Sequence, residues 1–241
     1  MEVVGTPGLA GAAVRRAVGS VTPMTVCPAR LCCAHCTTPA SGYTWGRMAK
    51  APLRDVLMTV GERVKACPLE AFVPHEKQRE FLSSHARTKL FVGGNRSGKT
   101  TCGVVEMLIQ ALSREHLPDH LLPYKRFEPP FFCRVMTPDL VDTQEHVIFP
   151  KIREWCPPGA LKGGSWRSAY SDRKRTLEFE NGSRVHFMSF EQALGKMGGS
   201  ALHCVWYDEE PPEEVRSENR ARLWDYGGYE MLTMTPLQGL T

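Results

Sequence analysis

The chain has 241 residues, 42% hydrophobic and 23% charged, which is ordinary for a soluble globular protein of one large domain or a domain with an extra segment. No apolar run approaches the roughly 18 residues needed to span a bilayer, so a membrane-spanning helix is excluded. The net charge of +4 lies in the first fifty residues (Arg15, Arg16, Arg30, Arg47 and Lys50 against Glu2), and the balanced remainder excludes a protein that coats DNA by bulk electrostatics.

Residues 1–47 are rich in Gly, Ala, Thr, Pro and Val and show no sustained period of 3.6 or 2. The stretch after Arg15-Arg16 is broken by Gly19, Ser20 and Pro23, so it does not make a secretory signal. Cys27, Cys32, Cys33, His35 and Cys36 invite a zinc reading, yet only Cys33 and Cys36 have ligand spacing and no second pair follows at a suitable distance. A disordered or spurious leader is therefore expected, with the folded domain over 48–241 beginning near Met48. Nine cysteines, an odd number without a signal peptide, suit a reducing cytoplasm; Cys102 and Cys204 read as buried free thiols.

From Pro52 to Val64, the apolar residues Leu53, Val56, Leu57 and Val60 predict a short amphipathic helix. In Pro74-His75-Glu76-Lys77-Gln78-Arg79-Glu80-Phe81-Leu82, the Gln78 amide could offer a donor and an acceptor to an adenine edge. A plain amphipathic helix with Phe81 and Leu82 in the core explains the same residues.

The apolar run Lys89-Leu90-Phe91-Val92 predicts a buried strand, and Thr101 to Leu112 is apolar at helical spacing. Between them lies Gly93-Gly94-Asn95-Arg96-Ser97-Gly98-Lys99-Thr100-Thr101. G-x-x-x-x-G-K-T between a strand and a helix is a P-loop. Its glycines let backbone N–H groups curl around phosphate oxygens, and the helix adds its positive end. Lys99 is expected to reach the β- and γ-phosphates of ATP, and the Thr100 hydroxyl to hold Mg²⁺.

Residues 113–130 read as a loop or surface excursion, 131–137 as a second buried strand, and 142–155 as a helix bent or interrupted at Pro150. Gly159 to Ser165 reads as a turn region. Two alternating strands, 176–180 and 184–190, meet at Asn181-Gly182, a hairpin signal. Gln192 to Ser200, with Lys196, reads as a mobile glycine-rich loop.

Ala201 to Asp208 is an apolar strand that ends in Asp208-Glu209-Glu210. A carboxylate delivered beside a P-loop completes the Mg²⁺ shell, a role for Asp208, and Glu209 is placed to polarise the attacking water. Pro211-Pro212 opens a helix whose N-terminus Glu213 and Glu214 favour. Tyr229 to Pro236 is a further strand; a hydroxyl at its tip, Thr233 or Thr235, could sense the γ-phosphate.

GGNRSGKTT, VWYDEEPP and LTMTPLQG, in that order and spacing, resemble the ATPase half of the large terminase subunit of tailed bacteriophages. The segment PHEKQREFL resembles that family's adenine-side motif, and the likeness runs over about residues 70 to 241. It implies an α/β fold, a P-loop NTPase of the additional-strand type with a mainly parallel sheet flanked by helices. It also implies a Mg-dependent ATPase that drives double-stranded DNA into a procapsid through a portal ring, working with a small terminase subunit in the host cytoplasm. By position, Gln78 and Gly93 through Thr101 bind ATP, Thr100 and Asp208 hold the metal, and Glu209 is the catalytic carboxylate. Thr233 to Pro236 form the coupling segment. Arg96 resembles the P-loop arginine of some members, a charge-stabilising role that an arginine from another subunit would otherwise fill.

Full-length members are expected to form homo-oligomeric rings and to carry a C-terminal nuclease domain that cuts concatemeric DNA. This chain stops at Thr241, so a C-terminally truncated motor domain without nuclease activity is expected, with one sheet edge left to cover and weak turnover in isolation. The rival readings are a helicase-like P-loop ATPase and a nucleotide-binding remnant without hydrolysis.

Overall fold

A computed structural model of the chain describes residues 53–191 and 200–235. The cysteine cluster, the Lys196 loop and Pro236 lie outside the described residues. In chain order the elements are α1 (Leu53–Ala66), α2 (Glu76–Ser83), β1 (Thr88–Val92), α3 (Lys99–Ala111), β2 (Phe132–Thr137), α4 (Phe149–Trp155), α5 (Trp166–Ala169), β3 (Tyr170–Ser171), β4 (Thr176–Glu178), β5 (Arg184–Ser189), β6 (Cys204–Asp208), α6 (Glu213–Ala221) and β7 (Tyr229–Met234).

The strands form one sheet in the order β1-β7-β6-β2-β5-β4-β3. The first five of that order run parallel, β4 is antiparallel to β5, and β3 is antiparallel to β4. β7 lies between the P-loop strand β1 and the acid-bearing strand β6, which is the inserted strand of the additional-strand P-loop folds. The parallel strands β2, β6 and β7 are buried along nearly their whole length, as strands covered on both faces must be. β1 instead alternates: Lys89 and Phe91 point inward, whereas Leu90 and Val92 are exposed. Among the described strands β1 pairs with β7 alone, so its outer edge is open.

On one face of the sheet α3 is buried on all sides from Cys102 to Ala111. That helix still carries a charge, because Glu106 accepts from Lys89 at 2.7 Å and from the Tyr229 hydroxyl at 2.9 Å, all within the core. α3 also lies directly on β6: a Cβ built on Gly103 would stand 2.5 Å from the Trp206 ring, so only glycine admits this approach. The other face is covered by α6, whose Val215, with Leu223 just beyond it, packs on Met136, Val205, Tyr207 and Leu232.

The Asn181-Gly182 hairpin forms as expected: β4 and β5 pair Glu178 with Arg184, and Gly182 has φ +83°. Three regions differ from the sequence reading. The helix expected over 142–155 is two pieces, a π-helical Leu140–Ile148 and α4, which joins it just before Pro150 because proline tolerates only a helix's first turn. The stretch 113–130 is loop-like but not a surface excursion. Leu117 and Leu121 are buried, and the Lys125 ammonium caps α3 by donating to the carbonyls of Ile109, Gln110 and Leu112. Finally, the helix α1 exists, but its Leu57, Met58 and Val60 remain exposed. No helix of the described residues is long and apolar enough to cross a membrane.

Candidate nucleotide-binding site

The loop Gly93–Gly98 leaves the C-terminal end of β1 and feeds the N-terminus of α3. Gly98 caps that helix at φ +80°, a left-handed conformation that glycine adopts without strain. Arg96 holds φ +63° in the same loop, a departure that non-glycine residues keep where the surroundings enforce it.

Enforcement comes partly from α2. His75 and Gln78 form a reciprocal cap at its start: the Gln78 N–H donates to His75 Nδ1 at 3.4 Å, and the His75 N–H to Gln78 Oε1 at 3.1 Å. The Gln78 amide nitrogen then donates to the Gly98 carbonyl at 3.3 Å, and His75 Nε2 lies 3.4 Å from the Ser97 carbonyl. Gln78 is thus buried against the phosphate loop and engaged at both ends of its amide.

β6 brings the carboxylates to the same end of the sheet. Thr100 Oγ1 donates to Asp208 at 3.2 Å, and Thr233 Oγ1 donates to the same carboxylate at 2.6 Å. The Trp206 indole N–H in turn donates to Thr233 Oγ1 at 2.8 Å, which fixes that hydroxyl's direction. Burial pushes the Asp208 carboxyl up to about 6, against the Thr233 and Thr100 hydroxyls that favour its charged form. A hydroxyl and a carboxylate in contact are the hard oxygen donors that suit Mg²⁺, so Thr100 and Asp208 fit that ion.

Glu209 follows with φ +87°, and its N–H donates to the Thr233 carbonyl at 2.9 Å. Its carboxylate accepts from the Thr235 N–H at 2.9 Å and from the Thr235 hydroxyl at 3.3 Å. The tip of β7 therefore touches both acids, Thr233 on Asp208 and Thr235 on Glu209.

Arg96, Ser97, Gly98, Lys99, Thr100, Thr101 and Lys151 line a cleft of about 230 Å³. Lys99 Nζ donates to the Gly94 carbonyl at 2.8 Å, folded back over the loop. A roomier cavity of about 530 Å³ lies around Arg87, Arg220 and Trp224 at the opposite end of the strands, away from these groups. The smaller cleft is the candidate site, because cations and the phosphate loop converge on it and Thr100, one of its walls, touches Asp208.

Most of the residues expected from sequence are gathered here: Gln78, Gly93 through Thr101, Asp208, Glu209, Thr233 and Thr235. Two neighbours escaped that reading. His75 looked like part of a helix start, and Lys151 lies in α4 with no motif around it. Only the packing of α4 on α3 brings Lys151 to the loop.

A P-loop between β1 and α3, a carboxylate-tipped β6 and an inserted β7 define a P-loop NTPase of the additional-strand type. The chain belongs to the N-terminal family of the T4likevirus-type terminase large subunit, whose sequence profile matches residues 90–240. It is 26% identical, over 205 aligned residues, to the terminase large subunit of Salmonella phage P22, covering 72% of this chain and 41% of that protein. The chain thus spans less than half the length of that relative. Its fold is similar to the large terminase ATPase domain of Thermus phage P74-26 (TM-score 0.53, 17% identity, 72% of this chain and 69% of that one). It is also similar to the large terminase of a second thermophilic bacteriophage (TM-score 0.50, 16% identity, 66% of this chain and 38% of that one).

Proposed function

We propose that residues 48–241 form a Mg-dependent ATPase, the motor domain that drives double-stranded DNA into a phage procapsid. The observation that carries this reading is the contact between the P-loop hydroxyl of Thr100 and Asp208 at 3.2 Å, with Glu209 next in the chain. Membership of the terminase large-subunit family supports the DNA-packaging output and, with it, a portal ring, a small terminase subunit and a homo-oligomeric ring as partners in the host cytoplasm.

In this mechanism the loop N–H groups and the N-terminus of α3 bind the phosphates. Lys99 moves from the Gly94 carbonyl onto the β- and γ-phosphates, and Arg96 meets charge that develops on the γ-phosphoryl group. Thr100 and Asp208 would hold Mg²⁺, which when bound neutralises charge on the phosphate oxygens. Glu209 orients water for in-line attack and takes its proton. While Thr235 holds the Glu209 carboxylate the base is parked; its release upon engagement of the γ-phosphate would link hydrolysis to movement of the segment after β7. Gln78 serves the nucleotide by bracing Gly98 at the adenine side.

The test is equilibrium ATP binding and steady-state phosphate release by the full chain and two variants. Lys99→Ala should lose ATP binding. Glu209→Gln should keep it and lose turnover by about 10²- to 10⁴-fold, the usual weight of a positioned base. ATP binding without turnover in the wild type would leave a nucleotide-binding module and remove the motor reading, and turnover by Glu209→Gln at the wild-type rate would remove Glu209 as the base.

A further inference from the structure

Lys151 is the cation at this cleft that no P-loop pattern assigns. It stands in the first turn of α4, and its ammonium donates to Thr101 Oγ1 at 3.0 Å while lining the cleft with Arg96 and Lys99. None of the ion pairs among the described residues includes it. An ammonium carries three donor hydrogens, and one of them is directed at Thr101. The remaining donors and the full charge adjoin a cleft whose other walls are built to take phosphate.

The position along the cleft follows from α3. Successive residues of a helix turn by about 100°, so Thr101 points away from the side on which Thr100 meets Asp208. The Thr100–Asp208 side is the metal end, where the β- and γ-phosphates lie, whereas the loop amides cradle the α- and β-phosphates. A cation on the Thr101 side therefore faces the α-phosphate. The hydrogen bond also has a direction: Lys151 donates to Thr101 Oγ1, so the hydroxyl hydrogen of Thr101 is left to donate onward into the cleft.

We infer that Lys151 is an α-phosphate residue of the nucleotide site, contacting that group directly and aiming the Thr101 hydroxyl at the same oxygens. The inference rests on the ATP-binding reading above. It makes Lys151 a determinant of affinity for the nucleoside diphosphate unit shared by substrate and product, so it holds ADP as firmly as ATP. Lys99, at the β- and γ-phosphates, favours the triphosphate.

The experiment measures dissociation constants of the full chain for ADP and for ATP in wild type, Lys151→Met, Lys151→Gln and Lys151→Arg. The methionine variant keeps the aliphatic stem, and the glutamine variant stands in should methionine disturb folding. Loss of a charge-assisted bond should weaken ADP and ATP by the same factor, on the order of tenfold or more, with the arginine variant recovering most of it. Unfolding midpoints without nucleotide should stay together across the series. Weaker ATP binding with unchanged ADP binding would move Lys151 to the γ-phosphate and overturn the assignment, as would unchanged affinity for both. If wild type binds neither nucleotide, the ATP-binding reading itself falls, and this inference with it.

Discussion

Glu209 is held in a left-handed conformation with its carboxylate satisfied by Thr235, and Asp208 beside it is satisfied by Thr233 and Thr100. These threonines act differently on their acids. Thr233→Val leaves the buried Trp206 N–H without its acceptor and Asp208 without its shortest donor. It should destabilise the fold by about 1–3 kcal/mol and weaken Mg²⁺-dependent nucleotide binding. Thr235→Ala keeps the backbone N–H on Glu209 and removes only the hydroxyl. Its unfolding midpoint in urea should stay near wild type, and equal losses in both variants would contradict this division. At this scale the motifs, each set by near neighbours, pointed to the place in the fold where Thr100 meets Asp208 and Glu209 follows. The sequence was silent on Lys151 and His75, whose contacts with the loop exist only after α4 and α2 have packed.

Among the elements, α3 carries the heaviest constraint, since it is buried all round and contains a charge. Lys89 and Glu106 are fully buried partners, and Lys89 also stands over the Phe81 and Tyr229 rings. Removing one partner leaves the other charge uncompensated, so Lys89→Met or Glu106→Leu alone should cost about 3–5 kcal/mol. The double variant should recover much of that loss, because a well-packed apolar pair is often neutral in place of a buried ion pair. A double-mutant cycle in urea reads both; additive losses would mean that the charges do not interact. Strands β2, β6 and β7 were legible because burial on both faces gives continuous apolar runs, and the β4–β5 hairpin because Asn181-Gly182 fits its turn. The π-helical segment over Leu140–Ile148 was not, since a short i→i+5 stretch leaves no period long enough to read; within it Gln144 donates to the Met188 carbonyl and to Thr137.

Across the whole molecule, pH acts through the half-buried His186 and the buried His203. Burial, helped by the neighbouring Arg134, pushes His186 down to about 4, and burial lowers His203 as well. Above 6.5 both forms of the chain hold these rings neutral. As pH falls from 6.5 towards 4 the unfolded chain takes up protons that the fold refuses, so stability declines. Asp208 works in the opposite sense, because its raised value makes the fold lose stability as pH rises from 3.8 to about 6. The histidine contribution is therefore read as a difference: wild type should lose more thermal stability than His186→Gln between pH 7 and pH 4.5. Parallel curves for the two proteins would sink this account.

The contact between Gly103 and Trp206 sets a dimension that the nucleotide itself never touches. Gly103 lies about one turn along α3 from Thr100, and Trp206 precedes Asp208 by two residues on the same face of β6. With no side chain on Gly103, the helix rests directly against the indole, and the ring becomes the gauge for the gap between hydroxyl and carboxylate. Adding one methyl group, Gly103→Ala, lifts the helix off its spacer and should destabilise the fold by about 1–3 kcal/mol. The Mg²⁺ concentration required for half-maximal ATP binding should rise in the same variant. A tryptophan buried beneath the site thus works as a machinist's shim, and the gap between Thr100 and Asp208 is cut to it.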